Sequence, residues 1–154
     1  MDIEQVVRDY LPGIVHMSLA TVRDGKPWVC EVHFVYDDKL NLYFRSLQSR
    51  RHSQEIALNP QVAGNIVVQH SLGQPARAVY FEGQANMIEN EAEVKQVFKY
   101  FHDRLQLKEE IIADALKPDG HKFYKISVET YYFFGTLGKD PAQKYELAWN
   151  KASA

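Results

Sequence analysis

The chain has 154 residues, with 18 Lys and Arg against 20 Asp and Glu, so its net charge near neutral pH is -2 with histidine uncharged. That balance excludes a general nucleic-acid binder, which needs a strong basic excess, and makes any anion site a local one. At 45% apolar and 25% charged residues it is expected to fold as one domain over 1–154. No stretch approaches the roughly 20 apolar residues of a membrane span.

Met1 is followed by Asp2 and Glu4 rather than by a basic and then apolar leader, so a cytoplasmic protein is expected. Ile3, Val6, Val7, Tyr10 and Leu11 recur at helical spacing before Pro12-Gly13 and predict a short amphipathic helix acting as a lid or plug. "IVHMSLATV" alternates Val15, Met17 and Leu19 against His16, Ser18 and Ala20, the period of a half-buried strand. After the Asp24-Gly25 turn, "WVCEVHFVY" puts Trp28, Cys30, Val32, Phe34 and Tyr36 on a core face and Val29, Glu31, His33 and Val35 on the other. "LNLYFRS" sends Leu40, Leu42 and Phe44 inward and Asn41, Tyr43 and Arg45 away, and the three strands are expected to form a meander.

Ser46 to Ser49 then leave the third strand for a short helix over Arg50 to Leu58, with Ser49 as its expected N-cap and Asn59-Pro60 as its stop. "VAGNIVVQH" and "RAVYFEGQANMI" read as two further strands, and Gly83 marks a bulge or a close backbone approach. "NEAEVKQVFKYFHDRLQ" gives the longest helix, "KEEIIADAL" a second short one, and "HKFYKISVETYYFF" a last long strand. From Gly135 onward a polar tail containing Trp149 is expected. Six strands with few helices predict a mostly β protein, a six-stranded antiparallel split β-barrel with peripheral helices.

Chemistry concentrates in "FRSLQSRRHSQEIALNP", where hydroxyls and two arginines precede a helix. Backbone N–H groups, the helix dipole and guanidinium forks make that pattern a phosphate site. The alternative is a solvated basic turn whose arginines meet nearby glutamates. Glu31 and His33 on one face could act as acid and base, or form a cross-strand polar pair on a subunit surface. Cys30, the single cysteine, is expected to be inert core volume, and the "YYFF" run to be sheet packing. The six histidines show no His-x-x-x-His or His-Glu spacing, so no metal site is expected.

The ordered motifs "LATV", "KPWVCEVHFVYDDKLNLYFRS", "SRRHSQEIALNPQVA" and "FEGQANMI" resemble the FMN-binding split β-barrel family typified by pyridoxamine 5′-phosphate oxidase, most closely a small bacterial branch of it. The resemblance implies a homodimer with FMN at the subunit interface, acting as an oxidoreductase on a small molecule. It implies a phosphate triplet of either Ser49, Arg50 and Arg51 or Arg50, Arg51 and His52. Arg51 is common to the basic set in both registers, and Ser46 is a further hydroxyl donor. The flavin ring would lie along Glu31, Val32, His33 and Phe34. Where many members carry an arginine this chain has Val29, and where they carry Gln or Asn it has Ala78. The Arg-x-His that grips substrate phosphate in true pyridoxamine phosphate oxidases has no match after Gly135, which argues against that substrate. A non-enzymatic flavin or haem module is the alternative, with His33 or His52 as an axial ligand.

Overall fold

The computed structural model describes residues 2–149. Four helices, α1 (Ile3–Tyr10), α2 (Arg51–Leu58), α3 (Glu91–Leu105) and α4 (Glu110–Leu116), surround eight strands. These are β1 (His16–Arg23), β2 (Lys26–His33), β3 (Val35–Tyr36), β4 (Leu42–Leu47), β5 (Gln61–Ile66), β6 (Ala78–Ile88), β7 (His121–Gly135) and β8 (Gln143–Ala148). The sheet is antiparallel in the order β2-β1-β5-β6-β7-β4-β3, with β8 added beside β7. The expected architecture holds, with eight strands in place of six. One extra strand arises because the second run breaks at Phe34 into β2 and β3. The other arises because the supposed polar tail pairs with β7 from Thr130↔Ala148 to Gly135↔Gln143.

The break at Phe34 also overturns the expected meander. β2 pairs only with β1, whereas β4 pairs with β7 and with the short β3. The two ends of the sheet path are therefore neighbours in the chain, joined through Phe34, whose backbone N–H donates to Val15 O at 3.0 Å. The sheet curls until its ends nearly meet at Phe34 and then diverges, leaving a split between β2 and β4. Phe34 and Tyr36 follow their expected inward face into the core and stack at 6.3 Å.

Met17, Leu19, Leu42, Phe44, Phe81, Ile126 and Tyr131 fill the barrel interior. Phe44 stacks on Tyr124 at 4.9 Å, and the Tyr131 hydroxyl donates to Leu40 O at 2.6 Å. Helix α1, capped by Asp2 accepting from Gln5 N, plugs one end with Val7 and Leu11, both fully buried. Trp149 packs there too, donating Nε1–H to Lys39 O at 2.8 Å and standing edge-on to Tyr131, so it closes the barrel and does not lie over the split.

A second, smaller core forms outside the sheet, where α3 and α4 lay Val94, Val97, Phe101 and Ile111 over Val35, Tyr43 and Phe123. The face expected to point away at Tyr43 and Val35 is thus covered by helices. Gly83 sits at the register shift after Glu82, where an added Cβ would lie 2.3 Å from Ser127 O. Only glycine lets β6 and β7 approach so closely there.

Candidate functional site

The split opens a groove of about 540 Å³, a size that holds small ligands and cofactors in proteins generally. One wall is Trp28, Cys30 and Val32, the inner face of β2 where β4 no longer covers it. Residues assigned to the core by alternation therefore become a largely apolar groove wall. Cys30 is half-buried, and burial, with the Glu31 charge, raises its pKa, so the thiol stays protonated. The opposite wall is the end of β4 at Arg45, Ser46 and Leu47, and Arg50, Arg51 and His52 close the mouth.

The turn Leu47–Arg50 is closed by Arg50 N–H to Leu47 O at 3.1 Å, so helix α2 starts one residue later than expected. Arg50, not Ser49, is its N-cap, with extended backbone and no side-chain capping bond. Ser49 is exposed in the turn and does not line the groove. A cap that cannot accept leaves the first N–H groups of α2 open, with the positive end of the helix dipole beside two arginines.

Arg51 has two partners. Its Nε donates to Glu55 Oε2 at 2.8 Å, and its guanidinium lies 4.1 Å from the centroid of the Trp28 ring. Glu55 is buried and also accepts from Thr21 Oγ1 at 2.8 Å. The hydrogen bonds from Arg51 and Thr21 hold its carboxyl below the usual range. The glutamate pairing expected of a plain basic turn is thus present, and it fixes Arg51 against the groove wall. Among the described residues Arg50 has no ion-pair partner.

His52 is buried and its Nε2 lies 2.7 Å from Ser46 Oγ. Burial first, and the Arg50 charge second, lower its pKa, so it is a neutral hydrogen-bonding spacer and the cations at the mouth are Arg50 and Arg51. A folded-state pKa below the unfolded value of about 6.5 means that the folded protein binds fewer protons there. Its stability is then complete above that value and falls as the pH drops through it. Urea denaturation at pH 7.5 and 5.5 should show lower stability at 5.5, with a smaller difference in His52→Gln. An unchanged difference in the variant would assign the effect to other groups.

The remaining expected residues part company. Val32 lines the groove, while Phe34 is 1% exposed in the core and cannot present its ring to a ligand there. Glu31 and His33 reach the groove edge, but their side chains are tied across the β1–β2 ladder. Glu31 accepts from Ser18, and His33 Nε2 lies 2.8 Å from His16 Nε2.

Sequence reasoning missed the far end of the groove, where Arg45 and His121 meet Asp114. Asp114 Oδ2 accepts from His121 N at 3.0 Å, His121 Nδ1 at 3.1 Å and an Arg45 terminal nitrogen at 3.3 Å. Burial pushes the Asp114 pKa up, but these bonds and charges outweigh it and hold the carboxyl below its ordinary range. Arg45 Nε is buried without a partner among the described residues. Asp114 and His121 flank Pro118-Asp119-Gly120 seven residues apart, a spacing with no motif. The one local signal is Gly120, where an added Cβ would fall 1.7 Å from Asp114 O.

A curled antiparallel sheet that fails to close along one side, with an uncapped cationic helix start at the mouth of the gap, defines a split β-barrel with an anion-compatible groove. The family profile described as pyridoxamine 5′-phosphate oxidase matches residues 3–135, and the chain belongs to that family. A UPF0306 protein of Photorhabdus laumondii is 26% identical over 88 residues, which is 56% of this chain and 62% of that relative. Among solved structures, general stress protein 26 of Bacillus anthracis is similar at TM-score 0.67 and 19% identity, covering 96% of this chain and 99% of that one. The haem storage protein HutZ of Vibrio cholerae is similar at 0.66 and 19% identity, covering 97% and 96%. A protein of Bacteroides thetaiotaomicron described as a candidate 5-nitroimidazole antibiotic resistance protein gives 0.70 at 14% identity, covering 85% and 82%.

Proposed function

We propose that this chain is an FMN-binding protein, a flavin-dependent oxidoreductase acting on a small molecule, with the FMN phosphate at the start of α2. The observation that carries this is the pairing of an uncapped helix N-terminus bearing Arg50 and Arg51 with a largely apolar wall of Trp28, Cys30 and Val32 in one groove. The donor set suits a dianion: backbone N–H groups, the Arg50 guanidinium and the exposed part of the Arg51 fork. FMN, when bound, supplies the redox chemistry, and the chain's residues bind it, orient it and exclude water. Protein purified without added cofactor should be yellow, with flavin absorption bands that bleach on adding a nicotinamide cofactor. A colourless protein that takes up no FMN would overturn the proposal.

The substrate is not pyridoxamine phosphate in this reading. A second phosphate beside the flavin needs fixed cations to offset its desolvation. Among the described residues after Gly135 the only cations are Lys139 and Lys144; neither lines the groove, and Lys144 lies over the Tyr132 ring at 4.8 Å. FMN-loaded protein in air should form no appreciable pyridoxal phosphate from pyridoxamine phosphate. Rapid formation would reveal another phosphate grip.

The same groove as a non-enzymatic haem module is the second reading, favoured by the fold shared with a haem storage protein. His52 is committed to Ser46 and His33 to His16, so a haem would have to break one of those bonds to gain either as axial ligand. A Soret band in place of flavin bands would select it.

A homodimer belongs to this proposal. The outward face of β1 and β2 carries small Ser18 and Ala20 beside Glu31, His33 and Val29, which is 60% exposed. A second copy covering that face by a two-fold contact is expected. Sedimentation at micromolar concentration should give a dimer, and a monomer would remove the interface.

A further inference from the structure

We propose that His16 and His33 form a site for a divalent first-row metal ion of tetragonal preference at the rim of the groove, on the β1–β2 face assigned above to the subunit contact, and that it fills without any flavin. The two residues are partners in the β1–β2 register and close that ladder at its end. Both are exposed in the single chain, their ring centroids are 4.5 Å apart, and their Nε2 atoms face each other at 2.8 Å. Without metal this is a hydrogen bond from a ring N–H of one imidazole to a ring nitrogen of the other, the roles set by the tautomers. An ion takes the place of that shared proton.

The distance discriminates between ions. Metal–imidazole bonds of about 2.0–2.1 Å put two nitrogens about 2.9 Å apart when they occupy adjacent corners of a square, and about 3.3 Å apart on a tetrahedron. The observed 2.8 Å matches the first case with almost no movement, which favours Ni(II) and Cu(II) over tetrahedral Zn(II). Glu31 lies on the same strand face two residues from His33 and adds negative potential. Among the described residues no group of three or more His, Cys, Asp or Glu is placed to hold an ion, so water fills the remaining positions. Imidazole pairs of this kind are invisible to sequence spacing because the ligands stand seventeen positions apart on either side of a turn.

The test is calorimetric titration of the full, tag-free chain with Ni(II), and separately with Zn(II), at pH 7.5. Ni(II) is chosen because it does not oxidise Cys30. One equivalent of Ni(II) should bind, more tightly than Zn(II), and His16→Ala and His33→Ala should each weaken it roughly tenfold or more while their circular dichroism is unchanged. No saturable Ni(II) binding, or equal binding by the wild type and both variants, would overturn the proposal. Because the readout needs no flavin, a colourless protein would leave this result unaffected.

Discussion

Arg51→Ala is expected to weaken FMN binding roughly 10- to 100-fold while changing riboflavin binding by about threefold or less. The figure follows from losing a hydrogen bond between charged groups, worth about 1.5–3 kcal/mol, where each 1.4 kcal/mol is tenfold. Only the phosphorylated ligand makes that bond. Arg51 also holds Glu55 and covers Trp28, so its loss disturbs the wall as well as the charge. Two further variants separate these effects. Arg50→Ala removes a cation that holds no glutamate and should also discriminate between the two ligands. Glu55→Gln leaves the Arg51 guanidinium less committed and should keep FMN affinity or raise it. Fluorescence titration with both flavins checks all three, and equal loss of FMN and riboflavin in Arg51→Ala would place the phosphate elsewhere.

Phe44→Ala is expected to cost about 3–5 kcal/mol of folding stability, the range for removing a fully buried aromatic ring. Phe44 is completely buried, stacks on Tyr124 and lies 6.0 Å from the His52 ring, so its side chain ties β4 both to β7 and to the start of α2. In a domain of this size the loss corresponds to a fall in Tm of about 10 °C. The next two residues are Arg45 and Ser46, so the cavity should also loosen the cationic mouth and weaken anion binding. Urea denaturation measures the first effect; a loss below about 1 kcal/mol would mean that β4 is not held as described.

The inward residues of β1 and β4 were legible from their period of two, because each of those strands has a face on the main core. What the period could not show is which strand lies beside which. Trp28, Cys30 and Val32 alternate just as Phe34 and Tyr36 do, yet the first three stand where β2 has left β4. A core pattern and a groove pattern are the same string when the groove is a gap in the barrel. The eighth strand escaped notice because Gln143–Ala148 is polar and exposed at alternate positions, and it adds to β7 at a sheet edge.

The site was legible where its residues are contiguous and hidden where they are not. Ser46 through His52 announce a cationic turn before a helix, but the N-cap fell one residue late, because the Leu47–Arg50 turn absorbs Ser49. Asp114 and His121 meet only because Gly120 lets α4 and β7 close on each other. His16 and His33 meet only through strand register.

Titration of the unmodified full chain with FMN and with riboflavin, followed by flavin fluorescence, tests whether the start of α2 holds the flavin phosphate. FMN should saturate at one per chain and bind at least roughly tenfold tighter than riboflavin, the difference a single phosphate gains from charge-assisted bonds at the start of α2. Riboflavin binding as tightly as FMN, or no saturable flavin binding in a protein that takes up haem, would contradict that placement.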